Sequence, residues 1–126
     1  MRELNEMAKR ILIIDDDEDI LEILNIVFQD EGYDVVVSNT SEAADHISVI
    51  HPDIVLLDVR IKGSTKNGLQ ICAEIKSLYP DLKLPVILVS GEHDLASLAK
   101  QCGADGFIPK PFDIFKMTMQ VNKHLM

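Results

Sequence analysis

The sequence predicts an α/β protein built on one open, doubly wound parallel sheet of five strands, with helices on both faces. Three observations carry this expectation. Short runs rich in Val, Ile and Leu recur five times along the chain. Longer segments with apolar residues three or four positions apart lie between them, the period of a half-buried helix. Each connection is long enough for a right-handed crossover and too long for a hairpin, so neighbouring strands run parallel.

In chain order, "RILIID" (10–15) forms the first strand, and residues 18–31 follow as a helix with Ile20, Ile23, Leu24, Val27 and Phe28 on one face. Gly32 supplies its stop. "DVVVS" (34–38) is the second strand, and a helix over 41–50 begins after polar Asn39 and Thr40 and ends before His51-Pro52, because the residue before proline resists the helical region. "DIVLLD" (53–58) is the third strand, and 68–78 a helix whose Leu69, Cys72, Ile75 and Leu78 line one face ahead of Pro80. "PVILVS" (85–90) is the fourth strand, followed by a helix over 94–102 that stops at Gly103. "GFIPK" (106–110) is the fifth, and a helix over 113–125 carries Ile114, Met117, Val121 and Leu125. Four of the five strands read as near-continuous apolar runs, which predicts coverage on both faces. Residues 1–9 read as an N-terminal extension and 10–126 as one domain, with no linker or repeat.

The totals narrow the function. A chain of 126 residues with 47% hydrophobic composition suffices for one sound core. No apolar run approaches the roughly 18 residues of a membrane span, and "MRELNEMAKR" lacks the apolar core of a signal peptide, so the expected location is the cytoplasm. The net charge of −9 disfavours direct binding to nucleic acid or to anionic lipid. Cys72 and Cys102, thirty positions apart without a CxxC, are expected to be buried thiols rather than a metal or redox pair. His46, His51, His93 and His124 are scattered, and His93 alone is expected near a site.

That site is expected beyond the carboxyl ends of the strands, where open α/β sheets bind ligands. The first strand ends in Asp15-Asp16-Asp17, the third in Asp58, the fourth in Ser90 and the fifth in Lys110. Five consecutive acids, Asp15 to Asp19, repel one another unless solvated or neutralised. Asp17, Glu18 and Asp19 suit the first turn of a helix, where acids favour the positive end of its dipole. Asp15, Asp16 and Asp58 instead make an all-oxygen set of the kind Mg²⁺ prefers, and one lysine cannot offset three carboxylates. Acid cluster, lone lysine and small hydroxyl together suit a phosphoryl group. A competing role for Ser90 is to cap the next helix. No glycine-rich phosphate loop is present, which argues against a nucleotide.

"ILIIDDD", "PDIVLLDV", "PVILVSGE" and "GADGFIPKPF" occur in the order and close to the spacing of the receiver domain of two-component response regulators, which the chain resembles across roughly residues 10 to 126. The resemblance implies a flavodoxin-like sheet of strand order 2-1-3-4-5. It implies a phosphoaccepting switch, not an enzyme in the usual sense, in which Asp58 takes a phosphoryl group from the phosphohistidine of a histidine kinase or phosphotransfer protein. It implies Mg²⁺ held by Asp15, Asp16, Asp58 and the backbone carbonyl of Arg60. Lys110 would pair with the phosphoryl oxygens, with a cis Lys110-Pro111 bond; Ser90 and Phe107 would act as the switch pair. A downstream protein or effector domain would read the 94–125 face, with Met117 and Met119 as adaptable contacts if exposed, and a homodimer is a further partner the family allows.

The loop "DVRIKGSTKNGLQ" departs from the family. Asp58 to Gly68 spans about two positions more than usual, and Ile61-Lys62 replaces the common Met-Pro. Arg60 and Glu92, each two positions past a site residue, are expected to face each other across the mouth and hinder the water that hydrolyses the acyl phosphate. Two other readings compete: a degenerate receiver that acts only as an interaction module, and a haloacid-dehalogenase-like phosphohydrolase, suggested by Asp15 and Asp17 in "IIDDDED" but lacking the following Thr or Val and a cap domain.

Overall fold

The computed structural model describes residues 8–125. Strands β1 (Arg10–Ile14), β2 (Asp34–Ser38), β3 (Ile54–Leu57), β4 (Val86–Ser90) and β5 (Gly106–Pro109) form one parallel sheet in the order β2-β1-β3-β4-β5. Helices α1 (Glu18–Asp30), α2 (Ile47–Ile50), α3 (Gly68–Leu78), α4 (Leu95–Cys102) and α5 (Ile114–Leu125) connect and flank it. The expected architecture is therefore present. Of the expected extension over 1–9, residues 1–7 lie outside the described residues, and the Lys9 carbonyl already accepts from the Asp34 amide at 3.0 Å.

Alternation along each strand splits the core into two layers. Ile11, Ile13, Ile54, Leu56, Ile87 and Val89 face α1 and α5, where they meet Leu24, Phe28, Met117 and Val121. Leu12, Ile14, Val55, Leu57, Val86 and Leu88 face the other side and pack on Ile71, Cys72 and Ile75 of α3 and on Ala99 and Cys102 of α4. Phe28 is fully buried, a contribution of about 1.5–3 kcal/mol, and meets the Tyr33 ring edge-on at 6.0 Å. Among the described residues no helix is long and apolar enough to cross a membrane.

Three expectations are corrected. Full burial on both faces holds for β3 and β4 and, past Arg10, for β1; β2 and β5 are edges, and Val37 of β2 is 40% exposed. The segment 41–50 is a 3₁₀ helix over Ser41–His46 with one α-helical turn, α2, after it. It is pinned at one end by Ser64 Oγ on the Ser41 amide and at the other by left-handed His51, and 3₁₀ winding, at about 2.0 Å per residue rather than 1.5 Å, spans farther between those anchors. Met117 is core rather than contact surface, whereas Met119 is 57% exposed.

Cys72 and Cys102 pack α3 against α4, with the Cys72 thiol donating to the Cys102 carbonyl at 3.4 Å. Burial, reinforced by the neighbouring Cys102 sulfur, pushes the Cys72 thiol far above the ordinary thiol range. Iodoacetamide in mildly alkaline buffer should leave both thiols unlabelled in the native protein and label both in denaturant, as read by intact mass. Labelling of native protein at the rate of a free thiol would contradict this packing.

Candidate functional site

Asp15, Asp58 and Lys110 each stand one step beyond a strand, and Ser90 is the last residue of β4. The Asp15 amide donates to the Ser38 carbonyl at 3.1 Å, the Asp58 amide to the Ile14 carbonyl at 3.0 Å, and the Lys110 amide to the Ser90 carbonyl at 2.9 Å. These bonds extend the ladders just far enough to set four side chains along one edge. Asp15 and Asp58 are buried, at 2% and 7% exposure. Asp15 Oδ1 accepts from the Asp17 amide at 2.9 Å and Asp58 Oδ1 from the Val59 amide at 2.7 Å. Their other oxygens share one cation: Lys110 Nζ donates to Asp15 Oδ2 at 2.8 Å and to Asp58 Oδ2 at 2.9 Å. The Lys110-Pro111 bond is cis, as the resemblance implied.

Asp16 completes the cluster. Oxygens of Asp15, Asp16 and Asp58 all lie within 4.8 Å of one another. Three carboxylates against one ammonium leave an excess of two negative charges when all are ionised. Burial raises the Asp15 carboxyl above its ordinary range, against the bond from Lys110 and the Asp17 amide and with help from the Asp58 charge. Burial alone would lower the Lys110 ammonium, but its bonds to Asp15 and Asp58 outweigh that and raise it. Hard oxygen donors with excess negative charge fit a divalent cation such as Mg²⁺.

The remaining residues stand as follows. Ser90 is buried and its Oγ accepts from the Glu92 amide at 3.3 Å. It does not cap α4, whose first flanking residue is Asp94 in the left-handed region. Asp17 caps α1 by accepting from the Asp19 and Ile20 amides, the role expected of the acids after Asp16. Phe107 lies on edge strand β5 at 40% exposure. The Arg60 guanidinium and the Glu92 carboxylate form an ion pair, with the Arg60 side chain 82% exposed. Such a pair adds only about 0–1 kcal/mol to stability. His93 is exposed in the β4–α4 loop.

Two contributors escaped the reading of the sequence. A Cβ on Gly68 would stand 1.9 Å from the Asp58 carbonyl oxygen, so α3 starts in contact with the main chain of Asp58 because residue 68 has no side chain. The loop length from Asp58 to Gly68 marked the position but not the contact. The Lys62 amide donates to Asp16 Oδ2 at 3.0 Å, a main-chain bond to which side-chain identity gives no clue.

The cost of the buried Asp15 charge has a measurable sign. Because its folded-state value is raised, the native state holds this proton more tightly than the unfolded chain does. Its contribution to stability therefore falls as pH rises from about 3.8 through the folded-state value. Lys110 keeps Asp58 when Asp15 is neutralised. In metal-free buffer, Asp15→Asn should lack that acid-range loss, so its stability relative to the wild type should rise as pH goes from acid to neutral. Urea unfolding across a pH series checks this; equal stability at every pH would contradict it.

Comparisons with known proteins point to one family and one fold. The family described as the response regulator receiver domain matches residues 11–122. The DNA-binding response regulator MtrA of Mycolicibacterium smegmatis is 31% identical over 125 residues, covering 97% of this chain and 53% of the relative, and MtrA of Mycobacterium tuberculosis matches to the same extent. The chain thus spans about half the length of these curated relatives. Among solved structures, a CheY-like response regulator receiver domain protein from Methanospirillum hungatei superposes with a TM-score of 0.84 at 27% identity, covering 94% of each chain. The receiver domain of NtrX from Brucella abortus superposes with a TM-score of 0.81 at 32% identity, covering 91% of this chain and 97% of that one. With a family match over most of its length, the expected strand order, and Asp15, Asp16, Asp58 and Lys110 drawn together, the chain belongs to the response regulator receiver domains.

Proposed function

We propose that the protein is a phosphoaccepting switch in which Asp58 takes a phosphoryl group from a phosphohistidine on a histidine kinase or phosphotransfer protein. The observation that carries the reading is the Lys110 ammonium, 2.8 Å from Asp15 and 2.9 Å from Asp58. In the transfer, an Asp58 carboxylate oxygen attacks phosphorus as the P–N bond breaks. The imidazole leaves with that electron pair, and an acyl phosphate remains on Asp58. Asp15, Asp16, Asp58 and the Arg60 backbone carbonyl would hold Mg²⁺, which when bound supplies positive charge against the phosphoryl oxygens.

The chain's own groups do the rest. Lys110 pairs with the phosphoryl oxygens as Asp58 gives up part of its charge. Ser90 Oγ, which accepts from the Glu92 amide, rotates to donate to a phosphoryl oxygen, and Gly91 leaves room for its approach. Phe107 turns inward behind Ser90. The face of α4, β5 and α5, where Phe107 and Met119 are both exposed, reports the change to a downstream protein or effector domain. The switch takes up one phosphoryl group per chain, assists that transfer and the later hydrolysis of the acyl phosphate, and has the cytoplasm as its setting. The mycobacterial relatives are named as DNA-binding; a match to 53% of their length does not extend that activity to this acidic chain, for which no direct nucleic-acid contact is proposed.

Incubation with Mg²⁺ and acetyl phosphate should add the mass of one phosphoryl group to the wild type and none to Asp58→Asn. Steady release of phosphate from a generic ester, or equal labelling of Asp58→Asn, would contradict the reading. The Arg60–Glu92 pair links the β3–α3 and β4–α4 loops, and its role in this reading is to obstruct attacking water. Replacing both with alanine should shorten the lifetime of the phosphorylated protein severalfold, followed by mass after removal of the donor; an unchanged lifetime would end that role.

A further inference from the structure

We infer that the backbone amide of Lys62 is a positioning group for Asp16, supplied by the long β3–α3 loop. The inference rests on the metal role proposed above for Asp16 and concerns what holds that carboxylate in place. Asp15 and Asp58 are buried, and each is gripped by Lys110 and by a nearby amide. Asp16 is less buried, and among the described residues the hydrogen bond that reaches its carboxylate comes from Lys62, 46 positions away, at 3.0 Å.

That amide is itself fixed. The Ser64 amide donates to the Ile61 carbonyl at 3.2 Å, and Gly63 has φ +78°, so residues 61–64 form a turn with Lys62 and Gly63 at its two central positions. Ile61, 6% exposed, roots the turn in the core. Ser64 Oγ accepts from the Ser41 amide at 2.9 Å and ties its far end to the segment after β2. The Lys62 side chain is exposed, so the contribution comes from its main chain. A carboxylate held in one orientation before a cation arrives loses less rotational freedom on binding. One Asp16 oxygen takes the amide and the other remains for the cation.

The turn also supplies the test. The first central position of a turn with positive φ at its second accepts proline readily, so Lys62→Pro removes the donor while suiting the backbone. Lys62→Ala keeps the donor and removes only the side-chain charge. In MgCl₂ titrations of the full chain followed by amide NMR shifts, Lys62→Pro should bind about tenfold more weakly than the wild type. Lys62→Ala should bind at least as tightly, having lost a nearby positive charge. In the metal-free wild type, the Lys62 amide should exchange slowly with solvent, and Asp16→Ala should abolish that protection. Equal Mg²⁺ affinity for the wild type and Lys62→Pro, equal weakening in both Lys62 variants, or an unprotected Lys62 amide would each overturn the inference while leaving the phosphoacceptor reading intact. A wild type that binds no Mg²⁺ would overturn both.

Discussion

The ammonium of Lys110 lies between Asp15 and Asp58, and that shared contact links the first, third and fifth strands at their carboxyl ends. Without it, buried carboxylates would face each other across a low-dielectric gap with no opposite charge between them. With it, the edge still carries more negative than positive charge once Asp16 is counted. This leaves a site stable enough to fold yet electrostatically suited to a cation and then a phosphoryl group. The raised values of Asp15 and Lys110 describe the same compromise from its two sides.

The parallel sheet delivers this contact because strands running the same way bring their ends to one edge. Register does the rest: Ile14 lies beside Leu57, Leu57 beside Leu88, and Ser90 beside Pro109. The next residues on β1, β3 and β5 are Asp15, Asp58 and Lys110. Helices packed on both faces exclude water from the strands but leave their ends open. Gly68 fits the same design, since only a residue without Cβ lets α3 begin against the Asp58 carbonyl. The long loop between them reaches back to Asp16 through Lys62 and outward to Glu92 through Arg60, coupling three loops around one mouth.

Much of this was legible in the chain, for identifiable reasons. The runs that became β1, β3 and β4 are apolar at successive positions because both faces are covered, and the acids and the lysine stand where those runs or their neighbours end. The Arg60–Glu92 pair followed from matching offsets past Asp58 and Ser90. What the sequence concealed was main-chain or context dependent. The Lys62 bond uses an amide every residue but proline possesses. The 3₁₀ winding of Ser41–His46 depends on anchors at Ser64 and His51. Met117 and Met119 share a chemistry and differ only in which side of α5 they occupy. A capping role was a rival reading of Ser90, and Asp94 stands in that position instead.

The most direct test of this electrostatic arrangement is an anomalous difference map from crystals containing Mn²⁺ in place of Mg²⁺. The account predicts one peak per chain, coordinated by oxygens of Asp15, Asp16 and Asp58, with the Lys110 ammonium beside it but outside the coordination sphere. A peak elsewhere on the surface, or none with those three side chains well ordered, would contradict it.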